Sequence, residues 1–157
     1  RLRWGALMDS LAEAATALGS IMAIVLMAAL LSYFLVLAEL PFWVQEWVEG
    51  RALSRMGFLM LVMGVLLVAG MFMDTLSDIL VFVPALLPAA QGLEISPVLL
   101  GVLFIITLEI GYITPPVGLN LFVAMGYFHR PMGVVVRASW PYLLVLLGVA
   151  LTLAVTG

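Results

Sequence analysis

Apolar residues run along this chain in long blocks, without the strict alternation of a half-buried strand or the spaced stripe of a surface helix. From Ala14 to Ala38 no side chain is charged, and the polar interruptions are Thr16, Ser20 and Ser32. From Ala138 to Gly157 there is again no charge. About 20 apolar residues suffice to cross a bilayer core at a helical rise of about 1.5 Å per residue. Both blocks therefore predict spanning helices, the first ending near Glu39-Leu40-Pro41 and the second starting near Val134. Leu7 to Ala15, with Asp9 and Glu13 four apart, reads as an interfacial lead-in to the first. A removed signal peptide fits poorly, because the apolar run is too long, lacks a small-residue cleavage pattern and is followed by further membrane segments.

Between these spans the pattern becomes irregular. Pro41 to Gly50 mixes Phe42, Trp43 and Trp47 with Gln45, Glu46 and Glu49, a combination that suits a short helix in the headgroup region; an ordinary loop is the alternative. Gly57 to Gly70 would extend only about 21 Å as a helix, short of a hydrocarbon core of about 30 Å. A polar tip, Met71 to Asp78, separates it from a second short apolar run, Ile79 to Ala90, carrying Pro84 and Pro88. Two short helices meeting at that tip predict a re-entrant hairpin over 57–90. The competing reading is one long helix from Gly57 to about Pro84, which would expose Asp74 and Asp78 to lipid at about 2.5 to 3.5 kcal/mol each.

Ser96 with Pro97 marks a helix start, and the apolar stretch that follows reaches Phe128, too long for one straight crossing. Its middle holds Gly111-Tyr112-Ile113-Thr114-Pro115-Pro116-Val117-Gly118. Each proline lacks an N–H and disfavours helix in the residue before it, so the helix over 97–128 is expected to be discontinuous, with Ile113 and Thr114 extended. A simple kink is the plainer alternative. His129-Arg130-Pro131-Met132-Gly133 then forms a loop before the last span, 134–157.

Composition narrows the function classes. Two thirds of the 157 residues are hydrophobic and only 10% are charged, against about a quarter in ordinary soluble domains; mean hydropathy is +1.29. Cysteine is absent, which removes disulfides, thiolate metal sites and cysteine nucleophiles. The net charge of −3 includes no basic run, so nucleic-acid binding is not expected. Arg1, Arg3, Arg130 and Arg137 fall on one side of the expected topology and Arg51 and Arg55 on the other, which places the first loop in the cytoplasm by the positive-inside tendency. The chain starts without Met, and Arg1-Leu2-Arg3-Trp4 reads as a loop already in progress, so a fragment of a longer protein is expected, forming one transmembrane domain over 1–157.

Non-helical backbone at membrane depth persists only inside protein or beside a watery cavity. There the carbonyls ending the first half-helix can ligate sodium, and the N–H groups opening the second can face an anion. Thr114 adds a hydroxyl and Asn120 an amide, and a hairpin tip with Gly70 and Asp74 is the natural opposing wall. Asp78 reads first as a hairpin-stabilising partner and second as a ligand. Glu109 serves either charge balance in the site or an ion pair elsewhere, and His129 reads as interfacial.

Three pieces in this order, Gly70-Met71-Phe72-Met73-Asp74, Pro84-Ala85-Leu86-Leu87-Pro88 and Gly111 through Gly118 continuing to Val123, resemble the C-terminal half of the large membrane subunit of tripartite ATP-independent periplasmic (TRAP) transporters. The resemblance covers nearly the whole chain. It implies an all-α polytopic membrane fold: spanning helices, a re-entrant hairpin and a discontinuous helix, together one inverted repeat of an elevator-type transporter. The implied function is a sodium-driven importer in the bacterial inner membrane, not an enzyme, with sodium as coupling ion and no other cofactor. A periplasmic substrate-binding protein would deliver an organic acid, such as a dicarboxylate or sialic acid, to a small and a large membrane subunit surrounded by lipid. Matched by motif, the sodium site would comprise Gly70, Gly111, Thr114 and Val117, with Asp74, Pro115, Pro116, Gly118 and Asn120 shaping the cavity. The other readings are a binding-protein-independent sodium/anion symporter, a membrane enzyme using Asp74 and Asp78, and a purely structural membrane subunit.

Overall fold

The computed structural model describes residues 4–157; Arg1, Leu2 and Arg3, and with them two of the arginines used for topology, lie outside the described residues. Among the described residues every regular element is helical: α1 (Trp4–Leu37), α2 (Leu40–Gly50), α3 (Arg55–Gly70), α4 (Thr75–Gly92), α5 (Pro97–Tyr112), α6 (Leu119–Phe128) and α7 (Met132–Thr156). Three helices, over Leu7–Leu37, Thr75–Gly92 and Met132–Thr156, are long and apolar enough to cross a membrane.

The expected lead-in is not a separate element. Helical residues run unbroken from Trp4 to Leu37, since Asp9 and Glu13 are tolerated in a helix and no Gly-Pro or Pro signal stops it. The helix ends where Glu39 turns left-handed, at φ 58°, and Pro41, in the first turn of α2, supplies no N–H where none is needed.

Met71 to Asp74 interrupts the 57–90 region, which excludes one long helix. Ser54 caps α3, its hydroxyl accepting from Gly57 N–H, and Asp74 caps α4. Pro84 and Pro88 both lie inside α4. Ser96 caps α5, accepting from Val98 N–H at 3.3 Å. Pro141 sits within α7, which stays helical through it.

The core is organised around α3 and α5, which pack together more extensively than any other pair. Phe58, Leu59, Val62, Met63 and Leu66 line one face of α3 and meet Leu100, Leu103, Phe104 and Leu108 of α5, all buried. The spacing of each set is that of a single helical face. Ala150 and Ala154 of α7 close the cluster; their small side chains let α7 approach closely, which is how helices associate where lipid removes the hydrophobic drive. On the other side, α4 packs on α1 and α2. The outer face of α1 is left exposed, from Met22 and Leu26 to Phe34.

Candidate functional site

Two of the interruptions between helices, the one after Gly70 and the one after Tyr112, touch. A Cβ built on Gly111 would lie 2.8 Å from the carbonyl carbon of Gly70, 2.9 Å from its Cα and 3.0 Å from the Leu67 carbonyl oxygen. One built on Gly70 would lie 2.9 Å from the Leu108 carbonyl oxygen. These are backbone atoms, so no rotamer change could make room. Only glycine at both positions lets α3 and α5 meet backbone to backbone.

Because α3 and α5 both run towards this junction, their C-terminal ends converge there. Each end carries carbonyls without helical donors and the negative end of a helix dipole, about half an elementary charge. Pro115 and Pro116 sharpen this at α5. They stand four residues after Gly111 and Tyr112, where an N–H would normally be received. The Gly111 carbonyl recovers a partner in the Thr114 N–H, at 3.0 Å. The carbonyls of Gly70, Tyr112 and Thr114 accept no backbone N–H among the described residues.

Opposite them, α4 and α6 begin. Asp74 is consumed as the cap of α4: its Oδ1 accepts the N–H of Leu76 and of Ser77, each at 3.1 Å, and its Oδ2 accepts the Ser77 hydroxyl. Gly118, left-handed at φ 56°, caps α6. Its Cα sits so close to the Tyr112 and Thr114 carbonyl oxygens that a Cβ would come within 3.0 and 2.9 Å of them. Two links lock the breaks together: Gly118 N–H donates to the Met71 carbonyl at 3.1 Å, and Thr75 N–H donates to the Tyr112 hydroxyl. The Pro115–Pro116 peptide bond is cis.

Gly70, Gly111, Thr114 and Gly118 are thus brought into one place. Thr114 donates its hydroxyl to the Ile110 carbonyl at 2.6 Å, which leaves the oxygen's lone pairs available to a ligand. Val117 is half-buried beside them, whereas Pro115, Pro116 and Asn120 are exposed. None of the cavity residues expected from sequence lines the cleft of about 400 Å³ between α1 and α4, which is walled by Ala23, Met27, Leu31, Met73 and Val81 with Ser77.

Two expectations are corrected. Ile113 is not extended: at φ −106° and ψ 13° it continues the turn, its N–H reaching the Ile110 carbonyl at 3.3 Å. Proline restricts only the residue directly before it, and Ile113 precedes Thr114. Asp78 does not brace the hairpin through hydrogen bonds, since neither carboxylate oxygen has a partner among the described residues. Sequence reasoning also missed Tyr112 and Thr107. The signal for Tyr112 was a hydroxyl inside the break itself. Thr107 stands one turn before Gly111 on the same face of α5, a hydroxyl on an otherwise apolar surface.

Residues 1–156 match the family model described as Tripartite ATP-independent periplasmic transporter, DctM component. The C4-dicarboxylate TRAP transporter large permease protein DctM of Pseudomonas aeruginosa is 41% identical over 127 residues, covering 81% of this chain and 30% of that protein. The 2,3-diketo-L-gulonate TRAP transporter large permease protein YiaN of Escherichia coli is 34% identical over 126 residues, 80% of this chain and 29% of that protein. The isethionate TRAP transporter permease protein DctMQ of Oleidesulfovibrio alaskensis is 29% identical over 150 residues, 96% of this chain and 24% of that protein. The chain therefore spans less than a third of the length of these curated relatives. No solved structure matches it. With a family model matched along almost its whole length, the chain belongs to the DctM component family of tripartite ATP-independent periplasmic transporters.

Proposed function

We propose that this chain is part of the large membrane subunit of a sodium-driven importer of organic acids, and that sodium binds at the junction of the two helix breaks. The observation that carries this reading is the convergence of the C-terminal ends of α3 and α5 at Gly70 and Gly111. Sodium prefers hard oxygen donors, and the junction offers them without any fixed carboxylate. Gly70, Gly111, Thr114 and Val117 would supply carbonyl oxygens, and Thr114 its hydroxyl as well. The N-terminal end of α6, at Gly118 and Asn120, presents N–H groups and a positive dipole end to the carboxylate of a substrate, whereas the first N–H groups of α4 are already taken by Tyr112 and Asp74. Asp74, Pro115 and Pro116 would shape that cavity.

In this reading α3 and α4 form a re-entrant hairpin, α5 and α6 a discontinuous helix, and the two move together as the mobile body of an elevator. The subunit works in the bacterial inner membrane with a small membrane subunit and a periplasmic substrate-binding protein. The relatives are named for C4-dicarboxylate, isethionate and 2,3-diketo-L-gulonate, which supports an acid as the cargo.

The test is uptake by the full-length protein with its partner subunits in proteoliposomes, measured against sodium concentration. Thr114→Ala removes one oxygen ligand and raises the half-saturating sodium concentration about tenfold, equivalent to about 1.4 kcal/mol; Thr114→Ser restores it. An unchanged sodium dependence in Thr114→Ala sinks the assignment.

A further inference from the structure

All nine acidic residues lie at or before Glu109, so between Ile110 and Gly157 the charged side chains are Arg130 and Arg137. A chain with a net charge of −3 thus holds one long stretch whose formal charge is only positive. The fold gathers that stretch into α6, α7 and the turn between them, with α6 packed on α7. A cleft of about 320 Å³ lies between the two helices, walled by Ala124 and Phe128 of α6, Arg130 of the turn, and Val135, Ala138 and Tyr142 of α7. Arg137 lines an adjoining cleft that shares Val134 and Ala138 with the first. Glu109, the nearest acid in sequence, precedes the break after Tyr112, and α6 carries the chain about 15 Å along its axis before Arg130 is reached.

The depth of this cleft follows from α7. Ala138 to Gly157 carries no charge, and as a helix it extends about 30 Å, the thickness of a hydrocarbon core. With that run in the core, Arg130 to Arg137 stand at headgroup level. Tyr127, Phe128, Trp140 and Tyr142, each more than half exposed, fall around the boundary, where amphipathic aromatic rings collect. The cleft therefore combines a guanidinium at headgroup depth with apolar walls that continue into the core. A phosphodiester with acyl chains matches both parts. A zwitterionic headgroup brings its own cation against Arg130 and Arg137, and an acidic protein segment leaves the apolar walls beneath the arginines uncovered.

We infer that the α6–α7 cleft binds an anionic phospholipid, with Arg130 on the phosphate and an acyl chain lying along Phe128, Val135 and Tyr142. Basic pockets between membrane helices hold anionic headgroups in this way, through charge-assisted hydrogen bonds from arginine. Arg137, across the Val134 and Ala138 wall, adds a second positive charge at the same level, its stem running up towards the headgroups. The lipid would wedge α6 against α7. This inference does not rest on where sodium binds.

The test follows the thermal unfolding midpoint of the purified full-length permease in mixed micelles, against the mole fraction of added phosphatidylglycerol or phosphatidylcholine at constant ionic strength. Phosphatidylglycerol raises the midpoint saturably, and neither phosphatidylcholine nor inorganic phosphate does. Arg130→Gln raises the half-saturating mole fraction of phosphatidylglycerol about tenfold. Ala138→Phe, which fills the cleft and keeps both arginines, does the same, whereas Arg51→Gln, which removes an equal charge outside the cleft, leaves the curve unchanged. Should Ala138→Phe not fold, Val134→Phe, at a position 52% exposed, obstructs the same cleft. Three results overturn the inference. Equal effects of Arg130→Gln and Arg51→Gln, or a wild-type curve in the cleft-filling variant, mean diffuse charge attraction without a site. No response to phosphatidylglycerol in the wild type means that a protein segment covers this face.

Discussion

Replacing Gly111 by alanine adds a single methyl group at the tightest point of the molecule. The new Cβ would stand 2.8 Å from the Gly70 carbonyl carbon and 2.9 Å from its Cα, where ordinary contact begins near 3.4 Å. Both opposing atoms are backbone, so relief requires α3 and α5 to separate by about 0.5 Å or more at their ends. Overpacking of this kind costs about 1 to 3 kcal/mol. Separation also strains the Gly118 N–H bond to the Met71 carbonyl, worth about 0.5 to 1.5 kcal/mol net. The sum is a loss of about 1.5 to 4.5 kcal/mol. Gly101→Ala, on the same helix, is the matched control: nothing lies within 4 Å of its added Cβ, and alanine is about 1 kcal/mol the better helix former. The assay is thermal unfolding of the purified full-length permease in detergent, with both variants prepared alike. Gly111→Ala lowers the midpoint and Gly101→Ala leaves it level or raises it. If Gly111→Ala is no more harmful than Gly101→Ala, the backbone-to-backbone meeting of the two helix ends is not a feature of the folded protein.

The links around that junction make two further predictions. Asp74→Ala strips the cap from α4 and costs about 0.5 to 2 kcal/mol, while Asp74→Asn retains most of the stability because asparagine caps equally well; equal losses in both variants, by the same unfolding assay, would mean that charge and not capping is what Asp74 contributes. Tyr112→Phe removes the acceptor of the Thr75 N–H, so hydrogen exchange at the Thr75 amide accelerates while protection in the Phe58 to Leu66 stretch of α3 is unchanged; unaltered exchange at Thr75 refutes the link.

Much of the architecture could be read from the chain because its causes are local. A charge-free run longer than 20 residues has few alternatives to a spanning helix, and Ser96-Pro97 announces a helix start by the hydrogen-bonding geometry of those two residues alone. Pro84, Pro88 and Pro141 each stand inside a continuous helix, but two successive prolines flanked by Gly111 and Gly118 remove two adjacent N–H donors and favour a break from local causes alone. The glycines at 70 and 111 were expected from their motifs to face one another, but the backbone-to-backbone closeness of their meeting was not, because it depends on how α3 packs on α5, two segments 41 residues apart in sequence. The same holds for Asp74 and Asp78. Four residues apart on one short segment, they look alike in sequence. Tertiary structure separates them: Asp74 falls at the helix start, where two backbone N–H groups and the Ser77 hydroxyl occupy its oxygens, and Asp78 falls one turn later, where α4 buries it with no hydrogen-bond partner among the described residues. Helix breaks and membrane spans were thus set by the covalent properties and hydropathy of neighbouring residues, whereas the partner of each break, and the solvation of each carboxylate, depended on which helix faces were packed together.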